Sequence, residues 1–220
     1  MDKILLGKHI QHLLNELRKD TGKLEKDLKS RTDDINFYSQ YTEAKLIKMN
    51  EDEFYTYISR LWAMIIWGNK KYRIDEIIGQ NGFSNLKKNL AELIWGKAPS
   101  EIRWDRFRSQ IYGMGPAIMS EILCKTKPDE YMLWNRRAYV ALNYLGVEKL
   151  PRYDYQFTGK VYKNLCNIVK EIAHEMKQAG FFDTSLLSVD YFFWDELQIE
   201  ENLSKIHSKK KAEDVTEEKT

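Results

Sequence analysis

Apolar residues recur at helical spacing almost from the first position of this chain. Leu5, Leu6, Ile10, Leu13, Leu14 and Leu17 line one face of a helix predicted over residues 3–19. Residues 23–30 either extend that helix or begin a second one. Asn50 followed by Glu53 has the form of a capping box, in which each side chain satisfies the other residue's backbone N–H. It opens a strongly apolar helix from Glu51 to about Trp67, stopped by Gly68-Asn69. A short helix from Ile74 to Ile78 and a turn from Gly79 to Gly82 follow. Ser84 then caps Asn85–Trp95, which Gly96 ends.

Pro99-Ser100 introduces Glu101–Tyr112, and the turn Gly113-Met114-Gly115 leads into Pro116–Lys125. Pro128-Asp129 breaks this helix, Asn135 opens Arg136–Leu145, and Gly146 closes it. Residues 147–159 read as a loop containing Pro151, followed by a long helix, Lys160–Gln178, ended by Gly180. Ser188 or Asp190 begins a last helix, Tyr191–Glu196. All four prolines lie between Pro99 and Pro151, each at a predicted helix boundary. Runs that alternate apolar and polar residues between turns are missing, so the expected fold is all-α, a bundle of eight to ten helices. The expected organisation is an N-terminal helical arm (1–34), a helical domain (35–203) with the hairpin at 101–125, and a polar, disordered tail (204–220).

Composition adds limits. Thirteen Tyr, nine Phe and six Trp, within 43% apolar residues, are enough for a real core. The net charge of +2 is too small to name a partner. Between Ser84 and Val140, however, ten Lys/Arg face six Asp/Glu, an excess that suits a phosphate partner and equally a solvated helical surface. Cys124 and Cys166 have neither disulfide-framework nor metal spacing and read as buried thiols of a reducing cytoplasm. The longest wholly apolar run, Leu61–Trp67, is far short of a membrane span. The N-terminal residues lack the apolar core of a secretory leader.

The candidate chemistry centres on the glycine turn. Glycine permits positive φ, and proline suits the first helical position, where its missing N–H costs nothing. A helix that begins this way aims free N–H groups outward, an arrangement that suits phosphate. Gly113, Met114, Gly115, Pro116 and Ala117 are therefore candidate DNA-backbone contacts. In Trp134-Asn135-Arg136-Arg137, the arginines suit phosphate or guanine edges, and Asn135 suits adenine or a helix cap. His9 and His12 lie three apart but lack a further His or Cys ligand, so they read as surface histidines and no metal is expected. Asp190, Asp195 and Glu196 flank Tyr191–Trp194, which reads as a core plug with Asp190 as the cap. Aromatic walls also suit a pocket for a flipped base.

The turn resembles the helix-hairpin-helix of base-excision DNA glycosylases, whose pattern is roughly L-P-G-V-G-x-K-T-A, later followed by V-D-T-H-V and a helix ending R-L-G. Ile111, Tyr112, Gly113, Met114, Gly115, Pro116, Ala117, Ile118 and Met119 match the first part. Trp134, Asn135, Arg136, Arg137 and Ala138, with Leu145-Gly146, match the second. The resemblance places Ala117 at the family's lyase lysine and Asn135 at its catalytic aspartate. Asn135 carries no charge and cannot act as a base, and Ala117 offers no amine for a Schiff base. The succession I-x-G-M-G-P-A-x-x-S-E-I-L, P-D-x-Y-x-L-W-N and A-L-x-x-L-G, continued from Tyr162 to Trp194, is also similar to helical modules of prokaryotic restriction and defence proteins. Some of those are fused to AAA+ ATPases and recognise modified DNA. This chain has no phosphate-binding G-x-x-x-x-G-K-[ST] loop of its own. The expected function is non-catalytic binding of duplex DNA, without a cofactor, alongside an ATPase or nuclease partner. The alternatives are a divergent glycosylase and a helical protein-interaction adaptor.

Overall fold

The computed structural model describes residues 1–181 and 185–198, and the tail expected to be disordered lies outside them. Within those residues there are eleven α-helices and no strand, one helix more than the expected upper number. In chain order they are α1 (Lys3–Lys19), α2 (Thr21–Ser39), α3 (Glu43–Lys48), α4 (Glu51–Ser59), α5 (Lys70–Asn81), α6 (Phe83–Trp95), α7 (Ser100–Gln110), α8 (Pro116–Thr126), α9 (Arg136–Tyr144), α10 (Gly159–Gln178) and α11 (Leu186–Asp195). Two short 3₁₀ turns, Trp62–Met64 and Asp154–Gln156, lie between them.

Among the described residues a main apolar core runs through the molecule, with a small second cluster of Cys124, Leu133 and Leu187. It takes Leu6, Ile10 and Leu13 from α1, Phe54 and Tyr57 from α4, Trp104 and Phe107 from α7, Leu165 and Val169 from α10, and Tyr191 and Phe192 from α11. Residues 1–34 are joined to this body. Asp2 N–H donates to Leu145 O at 2.8 Å, and Arg31 and Asp34 are buried. α8 lies against α2, α10 runs along α7, and α11 covers α9. α7 and α10 approach so closely that a Cβ on Gly159 would lie 2.0 Å from Glu101 O. Gly159 N–H donates to Asp105 Oδ1 at 2.6 Å in the same contact.

Several helix boundaries differ from the periodicity. The Asn50–Glu53 capping box is present. The helix it opens ends at Ser59 instead of Trp67, because the N–H groups of Trp62 and Ala63 turn to the buried carboxylate of Glu121, at 2.5 and 2.8 Å. That turn leaves Ile65 and Ile66 exposed. α5 starts at an Asn69 cap and continues through Gly79, so only Gly82, at φ 72°, ends it. Gly82 also opens α6 without a side-chain cap, so Ser84 is not the cap residue. α3, capped by Thr42, was not expected. α11 is capped by Ser185 and begins earlier than Ser188 or Asp190, which places Asp190 inside a buried helix instead of at its end.

Candidate nucleic-acid interface

The α7–α8 connection is set by backbone geometry at one glycine. Gly113 sits at φ 82°, where other residues are strained. A Cβ there would also lie 3.0 Å from Ile77 Cγ1 and 3.3 Å from Arg73 Nη2. Gly115 is different: its φ of −79° is open to any residue, and a Cβ would meet only Asp154 Oδ2, at 3.6 Å. Met114 is buried and anchors the turn in the core.

α5 holds the turn from outside. The Asn81 amide donates to Tyr112 O at 2.9 Å and accepts Tyr112 N–H at 2.8 Å. Arg73 donates to Gly113 O at 3.0 Å and to Glu76 Oε2 at 2.5 Å, with its guanidinium 4.7 Å from the Trp67 ring. Neither clamp was legible from the motif, because both residues lie some thirty to forty positions upstream of the turn.

α8 then starts with Pro116 at its first turn and Gly115 as N-cap, with no side-chain cap hydrogen bond. Ala117 is exposed. The first-turn N–H groups of α8 thus begin beside a residue that offers them no side-chain acceptor. The Asp154 carboxylate lies near this end, and Arg108 donates to Asp154 O at 3.0 Å.

Ser120 links this end to the second half of the expected site. Its hydroxyl accepts Trp134 N–H at 2.9 Å and lies 3.2 Å from Ala117 O and 3.3 Å from Trp134 O. Asn135 is the N-cap of α9, accepting Ala138 N–H at 2.9 Å. Its amide donates to Asp190 Oδ1 at 3.3 Å. Arg136 and Arg137 are exposed, and the Arg137 guanidinium lies 5.9 Å from the Trp194 ring.

The acidic residues have other duties. Asp190, 2% exposed, faces Arg31 Nη2 at 3.4 Å as well as Asn135. Burial pushes its carboxyl upward, and the Arg31 guanidinium pulls it back. Arg31 is itself ringed by Trp62, Tyr191 and Trp194, at 5.4, 5.1 and 5.8 Å. Beside this group the fully buried Lys125 ammonium lies 2.7 Å from Asp34 and 2.6 Å from Glu121. These are ion pairs without a well-directed hydrogen bond. The Trp62 ring is 4.1 Å from the same ammonium. Burial also pushes Glu121 upward, against Lys125 and the two N–H groups it accepts.

His9 and His12 are not independent surface residues. Their Nδ1 atoms lie 2.6 and 2.8 Å from the two oxygens of Glu196, and His9 Nε2 lies 3.1 Å from Tyr144 Oη. Asp195 closes α11. Among the described residues no group of three or more His, Cys, Asp or Glu side chains is placed to hold a metal. Cys124 and Cys166 are buried and unpaired, and burial pushes both thiols up, Cys166 to about 11. Among the described residues no helix is long and apolar enough to cross a membrane.

No protein-family model, curated protein or solved structure matches the chain.

Proposed function

We propose that this protein is a non-catalytic DNA-binding protein that holds the duplex backbone through a helix-hairpin-helix formed by α7, the Gly113–Gly115 turn and α8. The observation that carries this is the start of α8: a proline at the first position, a glycine cap with no side-chain acceptor, and an exposed Ala117. A phosphate supplies the missing acceptor and meets the positive end of the helix dipole. Arg136 and Arg137 at the start of α9 add charge, joined to the same helix end through Ser120. Contacts of this kind position a duplex and read no sequence. Affinity is therefore expected to be micromolar or weaker at physiological salt, about 10⁻⁴–10⁻⁶ M for non-specific binders. Neutralising about two or three phosphates gives a log–log salt slope of about −2 to −3. The resemblance to restriction and defence modules supports a cytoplasmic role beside an ATPase or nuclease.

The divergent-glycosylase reading draws on Asp190, the carboxylate that Asn135 meets. Its oxygens face Arg31 and Asn135 inside the protein, so it is poorly placed to stabilise charge on a sugar. Incubation with abasic and base-modified duplexes, followed by alkali, separates the two readings. Strand scission by this chain would overturn the binding-only assignment. Fluorescence anisotropy of a labelled duplex tests binding itself. Arg136→Ala with Arg137→Ala is expected to weaken it and flatten the salt slope. Asp154→Asn is expected to strengthen it by about 2- to 5-fold, because a carboxylate no longer competes at the helix end. If the parent binds no duplex, or both variants bind like the parent, the hairpin is only structural and the adaptor reading replaces this one.

A further inference from the structure

The two faces of α10 differ sharply. Tyr162, Leu165, Val169, Ile172 and Met176 are buried in the core. The outer face carries two neighbouring rows of exposed residues spaced seven apart. Lys163, Lys170 and Lys177 form one, and Lys160, Asn167 and His174 form the other. Positions seven apart stay nearly in line on a helix. At about 1.5 Å of rise per residue, the two rows make a track roughly 25 Å long. Neither row contains an acid. Glu171 stands in the next row round the helix, and Glu175, further round, lies 3.4 Å from Lys3. Lys163 lies 2.7 Å from Glu101. Among the described residues no carboxylate is paired with Lys160, Lys170 or Lys177. The fold does not call for most of this charge. The first turn of α10 holds no acidic residue, and Lys160 stands there, at the end where the helix dipole disfavours a cation. Lys160 and Lys163 are three apart and repel each other. Lys177 alone occupies a last-turn position that favours a cation.

We propose that the lysine track of α10 is a second contact for the phosphate backbone of duplex DNA. The proposal rests on the DNA reading above for its partner, and its surface is separate from the hairpin. A line of ammonium groups is complementary to the regular charge of a duplex, about one negative charge per 1.7 Å of axis. Lysine meets phosphate as a point charge and needs no fixed geometry to do so. Lys160 is six positions beyond Asp154, whose carboxylate lies beside Gly115, so the track begins a few residues along the chain from the loop that borders the hairpin. A bilayer is the poorer match. A helix that lies on lipid sinks an apolar face into it, and the apolar face of α10 is already taken by the core.

The test titrates a labelled duplex with the full chain across a range of salt and compares two triple variants. One removes the track, with Lys160→Gln, Lys170→Gln and Lys177→Gln. The other removes the same net charge elsewhere, with Lys8→Gln, Lys48→Gln and Lys88→Gln, three exposed lysines of α1, α3 and α6. All six side chains are exposed, and far-ultraviolet circular dichroism checks that the helices persist. The track variant is expected to bind about 10- to 100-fold more weakly at about 50 mM salt, and its log–log salt slope is expected to be shallower than the parent's by about 2 to 3. The parent slope is therefore steeper than the hairpin alone gives, and the control variant keeps it. A track variant that binds like the control overturns the track and leaves the hairpin reading standing. A track variant that loses binding while Arg136→Ala with Arg137→Ala and Asp154→Asn both bind like the parent supports the track and overturns the hairpin. A parent that binds no duplex overturns both. A parent that sediments with phosphatidylserine vesicles and not with duplex overturns the partner assigned to the track.

Discussion

Two glycines of the same turn carry different constraints. Gly113 has a positive φ and crowded surroundings, whereas Gly115 has an ordinary φ and room for a methyl group. Gly113→Ala is expected to cost at least about 1–2 kcal/mol, the penalty of a side chain in the left-handed region. Gly115→Ala is expected to leave the unfolding free energy within about 0.5 kcal/mol of the parent. Urea denaturation of the two variants measures both. Equal loss would mean that the turn is not built as described. The buried Lys125 gives a second expectation at this scale. Lys125→Ala leaves Asp34 and Glu121 without their shared cation and should destabilise by about 3–5 kcal/mol. A loss below about 1 kcal/mol, typical of an exposed pair, would contradict that burial. Asn135 shows how far a single residue can be read in sequence. Its cap role followed from its type and its place before a periodic segment. Its bond to Asp190, and the Arg31 partner behind that, come from chain segments 55 and 159 positions from Asp190. No local pattern reports contacts at that separation.

Apart from α3, helix existence was legible from periodicity, and helix ends were legible where the terminating group is local. The Asn50–Glu53 box, the Asn135 cap and Pro116 all fall where expected. The end of α4 was not legible, because apolar spacing continues to Trp67 while the Glu121 carboxylate captures the next backbone N–H groups from α8. Likewise α11 was expected too short, since its cap is Ser185 and its acidic residue points inward. The contact between α1 and Glu196, just past α11, makes an expectation for pH. Hydrogen bonding and charge from Glu196 raise the His12 pKa above its ordinary 6.5. Protonated His12 therefore favours the folded state. That contribution is fully present below pH 6.5 and is lost as pH rises through the raised folded value. A ¹H–¹³C titration should place His12 above 6.5, and Glu196→Gln should return it toward the ordinary value. An unchanged His12 in that variant would break the assignment.

For the whole molecule, the helix pairings put the start of α8 beside the Asp154 loop and, through Ser120, beside the start of α9. The candidate contacts at Gly113–Ala117 and Asn135–Arg137 were named from sequence. Their supports, Arg73, Asn81 and Ser120, belong to tertiary contacts that carry no motif. The central claim is that DNA phosphate docks on the first turn of α8. The most direct measurement is an amide ¹H–¹⁵N correlation spectrum of the full chain titrated with a duplex at low salt. The largest shifts are expected at the N–H groups of Gly115, Ala117 and Ile118, with smaller shifts at Arg136 and Arg137, and all should fade as salt is added. Shifts that leave Ala117 and Ile118 unmoved while other surfaces respond, or a spectrum unchanged by DNA, would contradict the account.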